Sequence, residues 1–142
     1  MKAMQVYIGY KFRRNKNKTS LKDTLESISQ TLAQLGHTTF ILGRDVQKWD
    51  KHSISTVHNL KTIFKNLKKS SCIVGFIDAD DLSLGLTMEY LAARALRKKI
   101  ITLIKDDLND NLYTKRSNAV IHFKNLEDLK QKILSEKTFK NS

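Results

Sequence analysis

The spacing of apolar residues along this chain alternates between two patterns, and each pattern predicts one kind of element. Residues 72–77 (Cys-Ile-Val-Gly-Phe-Ile) form an unbroken apolar run that is rich in β-branched side chains and too short for a typical helix. Such runs form strands that are buried on both faces, as in parallel sheets. From Leu84 to Lys98 the apolar positions lie three and four residues apart, which predicts a helix that packs along one face.

The same two patterns predict nine elements along the chain. In order they are strand Met4–Gly9, helix Leu21–Leu35, strand Thr39–Leu42, helix Thr56–Lys69, strand Cys72–Ile77, helix Leu84–Lys98, strand Ile100–Ile104, strand Ala119–Phe123 and helix Leu126–Ser135. Strands that alternate with helices are typical of a parallel sheet covered on both faces. We therefore predict a single-domain α/β, doubly wound (Rossmann- or flavodoxin-like) fold, with about five mostly parallel strands in residues 1–135 and a polar tail in residues 136–142.

Helix-end signals support two of these helices. Ser20 and Asp23 resemble a capping box before the first helix, and Gly36 stands where a helix commonly ends. Asn125 is a good N-cap for the last helix. Between the second strand and the next helix, residues 43–55 show no clean periodicity and are long enough to be a lid or substrate loop. Trp49 in this loop either stacks on a base or anchors the loop.

Candidate binding residues gather after the buried strand. In open α/β sheets, ligands bind beyond the carboxyl ends of the strands. Asp78, Ser83 and Gly85 follow the strand there, and Glu89 lies near the first turn of the next helix. The helix dipole favours the ionised form of a carboxylate at that place, whereas neighbouring acids raise its pKa, so the protonation state of Glu89 is open. A solvated helix-start glutamate is the structural alternative.

The run from Ser83 to Glu89 resembles the signature of the nucleoside 2-deoxyribosyltransferase family. It is closest to the Ser-Leu-Gly-x-x-x-Glu run of the 2'-deoxynucleoside 5'-monophosphate N-glycosidases. Residues 6–9 (Val-Tyr-Ile-Gly) are similar to the family's first strand and glycine turn. The resemblance covers about Met4 to Lys105, and its specific part is the Ser83 to Glu89 motif.

The resemblance implies roles for several residues. Glu89 would attack the anomeric carbon of the sugar and carry a covalent glycosyl intermediate. Ser83 would contact a 5'-phosphate, and Gly85 would let the backbone approach the ligand. The resemblance also implies a homo-oligomer whose neighbouring subunit completes the pocket. Apart from the resemblance, Gly9 and Tyr10 at the end of the first strand are candidate substrate-binding residues. Tyr7 and Tyr10 are candidates to stack on a base, although the strand alternation also predicts a packed position for Tyr7.

One position departs from the family pattern. The family usually has an aspartate in the helix before the buried strand, where it helps to position the sugar and the departing base. That place is taken here by Ile63, or by Asn59 if the helix is one turn longer. Because loss of an orienting acid can cost orders of magnitude in rate, a catalytically silent nucleotide-binding module is the alternative function.

Charge favours an anionic partner. The 142 residues include 26 Lys and Arg against 14 Asp and Glu, a formal net charge of +12. Arg13 and Arg14 follow the first strand, where a phosphate-binding loop lies in doubly wound folds, and arginine suits bidentate phosphate contacts. The alternative is a solvated basic loop. The pattern Lys61, Lys65, Lys68 and Lys69 is typical of an exposed helix face.

Several classes of function lack their motifs. The sequence has no apolar run long enough to span a membrane and no signal-peptide core, so we expect a cytoplasmic protein. There is no metal-ligand spacing, P-loop or dinucleotide-binding turn, and we expect no metal and no cofactor. Helix-turn-helix, zinc and RNP patterns are also missing, so we do not expect specific nucleic-acid binding. The apolar run around the single cysteine, Cys72, predicts a buried thiol.

Overall fold

The protein forms one parallel β-sheet with helices on both faces. The computed structural model describes residues 3–10, 18–45, 56–79 and 84–140. The strands are β1 Gln5–Tyr10, β2 Thr38–Ile41, β3 Cys72–Ile77, β4 Lys99–Lys105 and β5 Ala119–Phe123. The helices are α1 Lys18–Gln34, α2 Leu42–Asp45, α3 Thr56–Lys69, α4 Leu84–Ala95, α5 Leu112–Lys115, α6 Leu126–Ser135 and α7 Lys137–Lys140.

The strand order in the sheet is β2-β1-β3-β4-β5, and every neighbouring pair is parallel. This arrangement confirms the predicted doubly wound α/β fold. The strand order reverses at β1, so the connections leave β1 and β3 in opposite directions along the sheet. The crevice at such a switch point, beyond the carboxyl ends of the two strands, is where doubly wound folds bind ligands.

Side chains alternate between two cores because successive residues of a strand point to opposite faces. Val6, Ile8 and Val74 face one core, which includes buried residues of α1, α6 and α7. Tyr7 and Ile73 face the other core, which includes buried residues of α3, α4 and α5. All six residues of β3 are buried, as its continuous apolar run predicted. Both faces of the sheet are therefore covered.

Two helices, α1 and α4, have ends that differ from the sequence prediction. The capping box predicted at Ser20 is wrong, because α1 begins two residues earlier, at Lys18, and Ser20 lies inside the helix. Helix α4 ends at Ala95 rather than Lys98. Arg97, just after the end of the helix, adopts a left-handed backbone with φ of 58°. Gly36 has φ of 90° and its N–H donates to the Ala33 carbonyl, which confirms it as the end of α1.

The carboxyl-terminal segment differs from the polar tail that we expected. Residues 137–140 form α7, and Phe139 within it is fully buried in the first core. The buried His37 ring joins this helix to the start of β1, since its Nδ1 accepts from the Met4 N–H and its Nε2 bonds to the Phe139 carbonyl. A single apolar residue in a polar stretch thus extends the packed structure beyond Ser135.

The sequence also predicts no membrane span, no metal site and a buried cysteine. Within the described residues, no helix has the length and apolar character that crossing a membrane requires. The same residues hold no group of three or more His, Cys, Asp or Glu side chains placed to bind a metal ion. Cys72 is buried, and this burial raises the pKa of its thiol to about 12, so the thiol stays protonated at neutral pH.

Candidate active site

Glu89 is a buried carboxyl group in the second turn of α4. Only 7% of the residue is exposed, although glutamate is rarely buried unless it has a partner. Burial raises the pKa of Glu89 from 4.5 to about 7. The solvated helix-start alternative is therefore wrong. Desolvation outweighs the effects that favour the charged form, so neutral and ionised Glu89 both occur near neutral pH.

Tyr7 is the hydrogen-bond partner of Glu89. It lies in β1 with no exposed surface, and its hydroxyl donates to Oε2 of Glu89. Burial and the negative charge of Glu89 raise the pKa of Tyr7 far above its ordinary value, so Tyr7 remains a donor. Its ring packs against Phe40, with 5.3 Å between the ring centroids. This bond favours the ionised form of Glu89 and holds one carboxylate oxygen in place.

Gly9 provides the space that Glu89 occupies. A Cβ atom added to Gly9 would lie 2.8 Å from Cδ1 of Leu86 and 3.2 Å from Oε1 of Glu89. The strand backbone therefore approaches the first two turns of α4 more closely than a larger residue would allow. The structure places Gly9 beneath Glu89, as part of the strand rather than in a turn.

Three other predicted site residues lie around the same edge of the sheet. Tyr10 is the half-buried last residue of β1, and Asp78 is exposed directly after β3. Gly85 is exposed in the first turn of α4. With Gly9 and Glu89, they occupy the carboxyl ends of β1 and β3, at the switch point.

The remaining predicted residues lie outside the described residues. These are Ser83, the two arginines Arg13 and Arg14, and Trp49 of the expected lid. The phosphate contacts assigned to Ser83, Arg13 and Arg14 stay predictions, and so does the role of Trp49 in stacking on a base or anchoring the loop.

The family's additional aspartate has no counterpart in the described side chains of α3. Ile63 is half-buried there and packs against the second core. The charged residues of that part of α3 are lysines, at positions 61, 65, 68 and 69. In the described part of the site, Glu89 is thus the one carboxyl group that is buried beside the sheet.

Sequence reasoning missed the role of Tyr7. Its position in the strand alternation made it look like an ordinary core residue. A usable signal was present, because a buried tyrosine hydroxyl needs a polar partner. The partner lies 82 residues away in the chain, so sequence spacing alone does not reveal it.

We expect Tyr7→Phe to raise the pKa of Glu89, because it removes the hydrogen bond that favours the ionised carboxylate. The chain has four glutamates, at positions 26, 89, 127 and 136, so ¹³C labelling of glutamate gives four carboxyl signals to titrate. Glu89→Gln assigns the signal of interest. An unchanged or lower midpoint in Tyr7→Phe would contradict the role given to this bond.

A buried carboxylate held on one oxygen is suited to two kinds of chemistry. It can attack an electron-poor carbon with its other oxygen, or it can stabilise a cation that develops beside it.

Comparison with solved structures identifies other proteins with this fold. The CMP N-glycosidase of Clostridium botulinum is 20% identical, with a TM-score of 0.67 over 91% of this chain and 97% of its own. A 2-deoxyribosyltransferase of Bacillus psychrosaccharolyticus is 21% identical, with a TM-score of 0.62 over 89% of this chain and 90% of its own. A conserved protein of Enterococcus faecalis V583 is 16% identical, with a TM-score of 0.68 over 93% and 98%.

No family model matches the chain, and no curated protein sequence does so either. At these identities the likeness concerns the fold. The doubly wound fold predicted from the alternation of strands and helices is confirmed, and an N-glycosidase and a 2-deoxyribosyltransferase both share it over nearly their whole length.

Proposed function

We propose that this protein is an enzyme that breaks the N-glycosidic bond of a nucleotide, namely a 2'-deoxynucleoside 5'-monophosphate. The observation that carries the proposal is the buried Glu89 carboxyl, held by Tyr7 at the switch point of the sheet. Glu89 is the last residue of the Ser83 to Glu89 motif, and a CMP N-glycosidase and a 2-deoxyribosyltransferase share the fold.

The proposed reaction develops opposite charges on the base and the sugar, and an ionised Glu89 can stabilise the positive charge on the sugar. Breaking the bond leaves the electron pair on the base and builds positive charge at the anomeric carbon. Oε1 of Glu89 would form the new bond to that carbon, while Tyr7 keeps its hydrogen bond to Oε2. Water would then release the sugar in a hydrolase, and a second base would do so in a transferase. The ionised form of Glu89 is required, so activity should rise with pH toward neutrality.

The substrate's phosphate would be held outside the buried site. Ser83 and Arg13 or Arg14 are the residues that we assign to it, because hydroxyl and guanidinium donors bind phosphate oxygens well. Fixing the phosphate would fix the sugar against Glu89. The net charge of +12 also raises the local concentration of an anionic substrate.

The same reasoning extends to assembly and location. We propose a homo-oligomer in the cytoplasm, with the pocket completed by a second subunit. Three exposed apolar side chains of α4 and α5, Met88, Leu91 and Leu112, support an assembly because they offer apolar surface for contact.

One observation favours a second function, a catalytically silent nucleotide-binding module. The described side chains of α3 include no acid to assist the departing base. Such a module would bind nucleoside monophosphates through the same edge of the sheet but would leave them intact.

A substrate panel separates the two functions. The purified protein is incubated with nucleosides and nucleoside 5'-monophosphates, both ribose and deoxyribose, with and without a second free base. Chromatography then measures released or exchanged base. Release from deoxynucleoside monophosphates supports the proposal. The mass of the acid-quenched protein should then show a sugar-phosphate adduct, and peptide mass mapping should place it on the peptide that contains Glu89. Binding of monophosphates without release would support the silent module.

A further inference from the structure

Helix α4 packs into a trough of small residues that crosses the sheet. Gly9 of β1 is in register with Gly75 of β3, and Gly75 is in register with Thr102 of β4. All three lie on the face that packs against α3 and α4, because the positions two residues before Gly9 and Gly75, Tyr7 and Ile73, belong to that core. Two neighbouring glycines remove the side-chain layer under the helix.

Consecutive residues of α4 fill the two glycine positions. Glu89 occupies the space over Gly9, as described above. Tyr90 occupies the space over Gly75, where an added Cβ would lie 1.9 Å from the Tyr90 hydroxyl oxygen and 2.7 Å from the ring carbon that bears it. No residue larger than glycine fits at position 75 while Tyr90 stays in place.

The Tyr90 hydroxyl is fixed at its far end by hydrogen bonds. It lies 2.7 Å from Oγ1 of Thr102, and this oxygen in turn bonds to the Ser117 hydroxyl. Ser117 donates to the carbonyl of Tyr113, over a distance of 2.7 Å. The Tyr113 ring meets the Tyr90 ring edge-on, with centroids 5.1 Å apart. Tyr90 is 2% exposed, so an unpartnered hydroxyl there would be costly.

Glu89 and Tyr90 are neighbours on a rigid helix, separated by about 100° of rotation. A rotation of α4 that moves one therefore moves the other. We propose that Tyr90 is a positioning residue for Glu89, because its hydroxyl, seated on Gly75 and bonded to Thr102, sets the rotation of α4 that directs the Glu89 carboxyl across Gly9 to Tyr7. Its effect on rate rests on the proposed function, whereas its effect on the Glu89 carboxyl does not.

Tyr90→Phe tests the proposal, since it removes the hydroxyl and keeps the ring. We expect kcat to fall by about 10-fold to 100-fold with KM nearly unchanged, because a misaimed nucleophile affects the transition state more than binding. Without substrate, the Glu89 carboxyl signal should titrate at lower pH than in the wild type, because a released α4 lets water reach the carboxyl. Loss of the Tyr7 hydrogen bond would act in the opposite direction, but burial has the larger effect on the pKa of Glu89.

Thr31→Val is the matched control. It also removes a buried hydroxyl, whose bond goes to the Ser27 carbonyl, but it lies on α1, whose buried apolar residues belong to the opposite core. We expect it to lower thermal stability without changing kcat or the Glu89 titration. Thr102→Val removes the same bond as Tyr90→Phe from the other side, and it replaces that variant if Tyr90→Phe does not fold.

The outcomes separate this inference from the proposed function. If the wild type releases no base from any substrate, the proposed function fails, and the titration arm still tests the positioning role. If Tyr90→Phe lowers stability as Thr31→Val does but leaves both kcat and the Glu89 titration at wild-type values, the positioning role is overturned.

Discussion

Glu89→Gln is expected to lower turnover of the deoxynucleoside monophosphate by about a thousandfold or more, as losses of a nucleophile generally do. An amide of the same size still accepts the Tyr7 hydrogen bond, so the packing of α4 should persist. It cannot, however, form the covalent bond to the anomeric carbon. Binding of the substrate should stay close to that of the wild type, since the phosphate contacts lie elsewhere. Rapid-quench kinetics and equilibrium binding measure the two quantities separately.

Glu127→Gln is the matched control for this variant. Glu127 lies in the first turn of α6, with a side chain that is 79% exposed and 3.4 Å from Nζ of Lys130. The same chemical change there should leave turnover unaltered. Wild-type turnover in Glu89→Gln would refute the nucleophile role and would require the reaction to depend on another group.

Glu89→Gln is also expected to stabilise the fold at pH 8 by roughly 3 kcal/mol relative to the wild type. Folding raises the pKa of Glu89 from 4.5 to about 7, and each pH unit between these values corresponds to about 1.4 kcal/mol. The neutral amide avoids the cost of burying a charge. The wild type is less stable by this amount because it keeps an ionisable carboxyl at the site.

The sign of the pH dependence follows from proton binding. Between pH 4.5 and about 7 the folded state binds more protons than the unfolded chain does, so wild-type stability falls as pH rises. Below pH 4.5 both states hold the proton and the advantage of the amide disappears. Above about pH 7 the difference between the two proteins stays constant.

Urea unfolding from pH 4 to pH 8.5 measures this difference. Glu89→Gln and the wild type should converge at pH 4 and separate by pH 7, whereas Glu127→Gln should follow the wild type throughout. A constant difference between Glu89→Gln and the wild type across the whole range would contradict the raised pKa.

The sheet and its main helices were predictable because their signals are local. Strand β3 is apolar throughout because both of its faces are buried, and α1 has apolar residues three and four apart because one of its faces is buried. The spacing of the buried residues therefore indicates whether a segment is a strand or a helix. Helix α7 was missed because four residues with one apolar side chain carry no period. Phe139 is buried only because His37 and the first core are present to receive it.

The site could be predicted in part. The Ser83 to Glu89 motif identified Glu89 and its place at the switch point. The pKa of Glu89 was not predictable, because the helix dipole and burial act in opposite directions and sequence does not show how deeply a side chain is buried. The motif likewise gave no indication of Tyr90, whose contacts involve residues 15 and 12 positions away.

The α/β class, the order of the strands and helices, the position of the candidate carboxylate and the basic charge all follow from the sequence. These depend on residue type and near-neighbour spacing, which a chain carries whether or not it is folded. The folded structure was needed to show that Tyr7 bonds Glu89, and that Gly9 and Gly75 lie side by side beneath α4. Such contacts join residues that are 66 to 82 positions apart, and they exist because parallel pairing brings the strands into register.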